Sequence, residues 1–175
     1  MPRRIWFDRE FQLGLPPEAF PDILERLRGT PLRLAERVSG VSPELLTHRS
    51  DGRWSIQENV GHLADLEPLW LGRLEDFANG LQALRRADLQ NRATWDADHN
   101  SADLATLVGG FGRLRSQLVQ RTEGMTESEL MRTATHPRLG QPMNVVDHCF
   151  FVAEHDDHHL ATITELRRSR GATTG

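Results

Sequence analysis

The chain has 175 residues, 38% of them apolar, with a net charge of −4 and a mean hydropathy of −0.52. This length suits one ordinary domain with a sizeable core. No apolar run is long enough to cross a membrane, and there is no basic excess or stripe of the kind that marks a nucleic-acid binder. All 21 positive residues are arginine, a bias more in keeping with a GC-rich genome than with chemistry. The charged opening MPRRIWFDRE leads into no apolar segment, so no signal peptide is expected and the cytoplasm is the expected location. A single cysteine, Cys149, excludes an internal disulfide; in the context HCFF it reads as a buried, inert thiol.

Residues 1–20 read as an extended arm with a turn at LPPEAF, lying on the surface of the main domain. From Pro21, PDILERLRGTPLRLAERV places Ile23, Leu24, Leu27, Leu34 and Val38 on one helical stripe, with Gly29 and Pro31 expected to bend or interrupt it. A second helix opens on a capping box, Ser55 with Glu58, and runs through Pro68 toward Gly80. The stretch LQALRRADLQNRATWDADHN has weak periodicity and reads as a linker. A third helix is expected over 101–123, where Leu104, Leu107, Val108, Phe111, Leu114 and Leu118 share a face. A loop carrying Gly140 and Pro142 precedes a fourth helix from about Asn144 to Arg168. Four amphipathic helices without a convincing strand set define an all-α fold, a four-helix bundle over residues 21–170, with a flexible tail at 171–175.

The chemistry concentrates in FFVAEHDDHHLATI, residues 150–163. His155 and His159 stand four apart, about 40° from each other around a helix; His155 and His158 stand three apart, about 60°. A pair at i and i+4 can hold one metal ion, and the geometry favours His159 over His158, which falls to the rim or surface. Histidines between acids are also commonly a solvated helix face. His62, within ENVGHLADLE, supplies a third imidazole from another helix and tips the balance toward a metal site. His148 lies on the same face as His155 but about 10 Å further along the axis, in the core or the pocket wall.

Other groups are weaker candidates. Asp65 shares a face with His62 and is a tentative partner behind the ligands or a general base, set against a solvated acid. Glu58 is explained by capping. Glu67, Glu154, Asp156 and Asp157 read as outward. Trp54 and Trp70 read as core anchors, with Trp70 also a candidate pocket wall. Arg113 and Arg115 are candidates for an anionic substrate, against the commoner exposed arginine.

The segments ILERLRGTPLRLAERV, WSIQENVGHLADLEPLW and HPRLGQPMNVVDHCFFVAEHDDHHLATI together resemble the DinB-like (YfiT-like, damage-inducible protein) superfamily of four-helix-bundle metalloenzymes, over roughly residues 20–169. The resemblance implies that His62, His155 and His159 bind one divalent metal ion, zinc or nickel first among the choices. Where many of its members carry glutamine three residues after the last ligand, this chain has Thr162. The resemblance further implies a small-molecule substrate, a homodimer, and transfer of a low-molecular-weight thiol (bacillithiol or mycothiol) to an electrophile, as a mycothiol-dependent maleylpyruvate isomerase of that superfamily illustrates. The alternatives are a hydrolase using metal-bound hydroxide, and a non-catalytic metal-binding stress-response or interaction protein.

Overall fold

The computed structural model describes residues 4–50 and 52–171; the expected tail, from 172 onward, lies outside them. Four long helices form the body: α1 (Phe20–Val38), α3 (Ile56–Ala78), α5 (Leu104–Glu123) and α7 (Val145–Gly171). Short helices α2 (Pro43–Leu46), α4 (Arg92–Asp96) and α6 (Glu127–Leu130) sit in the connections. α1 and α3 each pack against both α5 and α7, so successive long helices α1 and α3 stand diagonally across the bundle, as do α5 and α7. This arrangement sets α3 beside α7, the two helices that carry the clustered histidines. None of the described helices is long and apolar enough to cross a membrane.

Helix ends follow local chemistry. Ser55 and Glu58 form the expected capping box, Glu58 also receiving Arg49. α7 starts where Asn144 and Asp147 exchange side chain-to-backbone bonds of 2.7 and 3.0 Å. Gly29 and Pro31 do not interrupt α1, which runs unbroken to Val38. A proline removes one hydrogen bond from a helix; here the stripe from Phe20 to Val38 buries enough apolar surface to carry the helix through.

Two apolar clusters fill the bundle. One gathers Leu27, Leu74, Leu118 and Val152; the other gathers Leu34, Leu63, Phe111 and Ile163. Between them lies a polar layer with one residue from each long helix: Thr30, Glu67, Arg115 and Asp156. Arg115 donates to Glu67 Oε1 at 2.5 and 3.1 Å and to both oxygens of Asp156, and Thr30 donates to Asp156 at 2.9 Å. The sequence expectation that Glu67 and Asp156 point outward is therefore wrong, and so is that of an exposed Arg115: all three are at most 1% exposed. They are buried because Arg115 hydrogen-bonds and counters both carboxylates, which in turn satisfy its guanidinium.

The connections hold a feature the sequence concealed. Strands β1 (Thr133–Thr135) and β2 (Pro142–Asn144) form an antiparallel hairpin, with Ala134 opposite Met143. Residues 82–84 add a bridge along β1: Leu84 N–H donates to Thr135 O and Thr135 N–H to Gln82 O. The N-terminal segment is extended, as expected, but it is more than a surface arm. Trp6, Phe11, Leu13 and Leu15 pack on the apolar cluster, and the backbone N–H groups of Gly14 and Leu15 donate to the Asp147 carboxylate at 2.9–3.0 Å. Gly14 makes this approach at φ +90°, a conformation favoured by glycine.

Candidate metal centre

Helix geometry delivers three imidazoles to one point. His155 and His159 lie one turn apart on α7, and His62 comes from the first half of α3 alongside. One nitrogen from each lies within 4.8 Å of the others, and all three residues are buried. Nε2 of His155 and Nε2 of His159 are 3.2 Å apart. Ligand atoms of a tetrahedral zinc ion with bonds of about 2.0–2.1 Å stand roughly 3.3 Å apart.

Hydrogen bonding fixes the ring states. Nδ1 of His159 faces Asn59 Oδ1 at 2.8 Å, and Asn59 is oriented by its own amide donating to Ser55 O at 2.7 Å. His159 Nδ1 therefore carries the proton and Nε2 a lone pair. His62 Nδ1 meets Thr94 Oγ1 at 2.9 Å, and the Thr94 hydroxyl donates onward to Asp65 Oδ2 at 2.8 Å. With its proton committed to Asp65, Thr94 accepts from His62 Nδ1–H, which leaves His62 Nε2 bare. Burial holds the His62 pKa down to about 4. Burial, reinforced by His62 and His158, holds His155 well below the ordinary imidazole value. His62 and His155 are thus neutral near pH 7, the state a metal requires. In metal-free protein the 3.2 Å contact lets His155 Nε2–H donate to the bare Nε2 of His159; with that proton moved to Nδ1, three lone pairs converge and one shared cation satisfies them, so the residues fit a divalent ion.

The structure brings together the three histidines singled out from the sequence and places the other candidates around them. Asp65 is not free: besides Thr94 it holds His99 Nε2 at 2.9 Å, so it acts on His62 through Thr94. The His99 ring presses against Gly61, where an added Cβ would lie 2.3 Å from it. His158 lines the cavity beside His159, ring centroids 5.3 Å apart. His148 is a core residue whose Nε2 lies 3.1 Å from Trp70 O. Cys149 is buried, its thiol pushed up to about 12. Trp54 is half-buried against His62, ring centroids 4.5 Å apart, rather than a core anchor.

The imidazoles open on a cavity of about 460 Å³ whose wall includes all four tryptophans of the chain. Trp6 and Trp70 meet the His155 ring at 5.1 and 5.6 Å. Sequence reasoning did not assign Trp6, Thr94, Asn59, Arg73, His136 or Arg138 to the site. Four of these six lie in the arm, the linker or the hairpin, where no periodicity points to a partner.

A bundle with diagonal connections brings three histidines together between α3 and α7, a set that could hold a metal ion. The chain belongs to the DinB superfamily, whose sequence model matches residues 26–163. A Geobacillus kaustophilus (strain HTA426) protein named "Putative metal-dependent hydrolase GK0616" is 29% identical over 152 residues, covering 83% of this chain and 82% of its own. YfiT from Bacillus subtilis, described as a probable metal-dependent hydrolase with an unusual four-helix bundle topology, superposes with a TM-score of 0.76 at 22% identity, over 93% of this chain and 94% of its own. The mycothiol-dependent maleylpyruvate isomerase superposes with a TM-score of 0.66 at 12% identity, over 86% of this chain and 62% of its own. At these identities the two structures establish a shared fold.

Proposed function

We propose that the protein is a divalent-metal-dependent enzyme that joins a low-molecular-weight thiol to an electrophilic small molecule, with His62, His155 and His159 holding the ion. The carrying observation is the convergence of three buried imidazole nitrogens, two of them on rings set by Thr94 and Asn59. An all-nitrogen set suits zinc or nickel. When bound, such an ion supplies a full double positive charge, which favours the deprotonated form of a water or thiol beside it.

The chain's own residues bind and orient. Thr94 and Asn59 hold their imidazoles in one tautomer, and the tryptophans give the cavity an apolar face beside them. No protein nucleophile serves: Cys149 lies in the core with its thiol protonated. Two neighbouring carboxylates are already engaged, Asp65 by Thr94 and His99, and Glu67 by Arg115. A thiol with a pKa of about 8.5 needs far less help to ionise than water at about 15.7. That difference favours thiol over water as the nucleophile, and a cavity of about 460 Å³ is of ligand-binding size. One observation favours hydrolysis instead: His158 lines the cavity beside His159, where it can take a proton from a water. The name of the Geobacillus relative points the same way.

Elemental analysis of purified protein tests the metal, with about one ion per chain expected and loss in His155→Ala. Assays with bacillithiol, mycothiol or glutathione and monochlorobimane test the reaction: the sulfur–carbon bond forms while chloride and a proton are released. Metal-dependent consumption of thiol is the expected result. Ester hydrolysis without acceleration by any thiol establishes the second reading in place of the first. Metal-free protein whose melting ignores chelators sinks both.

A further inference from the structure

The cavity has a second polar end that the metal reading leaves unused. Arg73, on α3, is 2% exposed. Its Nε donates to Arg85 O at 3.2 Å, and its Nη1 lies 3.1 Å from His136 Nε2. No carboxylate hydrogen-bonds it; Asp76, three residues on, is taken by the backbone and guanidinium of Arg85. Arg138, in the turn of the β1–β2 hairpin, sits among aromatic rings, 5.4 Å from Phe7, 5.7 Å from Phe151 and 5.9 Å from Trp6. Its Nη2 is shut off from water and has no acceptor. Between the two arginines His136 brings no negative charge: burial and both guanidiniums hold its pKa down to about 3, and its Nδ1 faces the backbone N–H groups of Arg138 and Leu139. Burial lowers Arg73 only to about 10, so it stays cationic. Asp88 lines the same cavity but is held by Arg92.

Asp76 attracts Arg73 without hydrogen-bonding it and Arg138 has a buried donor with no acceptor; two guanidiniums so incompletely paired are expensive to keep in an aromatic wall. A planar anion entering the cavity relieves that cost with charge-assisted bonds. The site lies one ring from the histidines: Trp70 separates Arg73 from His155, at 5.4 and 5.6 Å, and Trp6 separates Arg138 from His155, at 5.9 and 5.1 Å.

We propose that Arg73 and Arg138 receive the carboxylate of the substrate, so that the enzyme acts on small organic acids whose apolar body lies on Trp6 and Trp70 and whose reacting carbon reaches the imidazoles. The word substrate rests on the function proposed above; the anion site itself does not. With Nε of Arg73 committed, its Nη2 and the planar fork of Arg138 remain as donors, and a planar fork pairs with the two oxygens of a carboxylate.

The test is binding of 3-phenylpropionate, its amide and phenyl phosphate, read by tryptophan fluorescence and calorimetry on the protein as purified and after chelation. The acid is expected to bind at least about tenfold tighter than the amide in both states. Arg138→Gln, on a half-buried turn, is expected to abolish that preference while leaving the amide unchanged, and Arg73→Gln to act likewise where its melting curve shows it folded. Equal binding of acid and amide, or a preference that survives Arg138→Gln, overturns the proposal. A preference seen only with metal bound puts the carboxylate on the ion and also overturns it. Tighter binding of phenyl phosphate overturns the assignment to a carboxylate. Because the preference is read in metal-free protein, its failure leaves the metal reading standing, and a metal-free purified protein leaves this one standing.

Discussion

Two polar groups share the interior of this bundle, and adjacent residues of α7 divide between them: Asp156 belongs to one and His155 to the other. The Arg115 group is closed. Its charges neutralise one another, each long helix contributes a residue, and no residue in it is more than 1% exposed. The histidine group is open. Its rings are fixed from behind by Thr94 and Asn59, while the lone pairs in front face a cavity. The first spends nearly all its hydrogen-bonding capacity inside the chain and so registers four helices against one another; the second withholds part of its capacity, and only a withheld valence can bind something.

Substitution separates the two roles. Arg115→Met leaves two buried carboxylates without their cation and is expected to lose about 3–5 kcal/mol of stability in urea denaturation. His159→Ala, measured without metal, removes a partner of Asn59 and of His155 beside an open cavity and is expected to lose about 1–2 kcal/mol. The reverse order would break the distinction between a structural and a functional cluster. Metal affinity runs the other way. His159→Ala is expected to weaken zinc binding by more than about a hundredfold in competition with a chelator, and Thr94→Val, which unseats His62 from behind, by about 10–100-fold.

Gly61 tests the link between Asp65 and the open group. A methyl at this position overlaps the His99 ring, which is hydrogen-bonded to Asp65. Gly61→Ala is expected to destabilise by about 1–3 kcal/mol, visible as a lowered melting temperature, with zinc affinity falling alongside. A fully stable variant would mean that His99 moves freely and does not position Asp65.

The open group was legible in the sequence and the closed one was not, for a physical reason. His155 and His159 are read from helix periodicity, and His62 from its place in an apolar stretch; both are local signals. Periodicity treats Glu67, Asp156 and Arg115 as outward because an isolated charge belongs in water. What buries them is mutual pairing among three helices, 41 to 48 residues apart along the chain. The capping box at Ser55 was visible for the same local reason. The hairpin carrying His136 and Arg138 was not: three-residue strands such as TAT and PMN have too few positions to show alternation. Trp6 was assigned to a surface arm, and nothing in its neighbourhood announces that its ring meets His155.

Acid separates the closed cluster from a buried histidine with the smallest but most diagnostic effect. His148 is fully buried, and burial holds its pKa down to about 3 against an ordinary 6.5. Above pH 6.5 it is neutral in both folded and unfolded chains and contributes no slope. Below that, the unfolded chain takes up a proton that the folded chain refuses, so stability falls with pH by up to about 1.4 kcal/mol per unit. Glu67 behaves oppositely. One guanidinium serves two carboxylates, and burial pushes the Glu67 carboxyl up to about 7 from an ordinary 4.5. Its Oε2, without a hydrogen-bond partner, is the natural seat for the proton. Between pH 7 and 4.5 the folded chain takes up a proton that the unfolded chain does not, so stability rises as pH falls. The Glu67 slope opposes that of His148 down to about pH 4.5, while His62, His136 and His155, also held low by burial, add to the histidine side in metal-free protein. Urea midpoints of metal-free protein should therefore fall as the pH drops from about 6.5 to 4, with Glu67 offsetting only part of the loss down to about pH 4.5. His148→Leu should shift the curve toward gain on acidification, and Glu67→Gln toward loss beginning near pH 6.5. Parallel curves for the two variants would show that neither group's pKa differs between the folded and the unfolded chain, so that burial sets the pH dependence of neither.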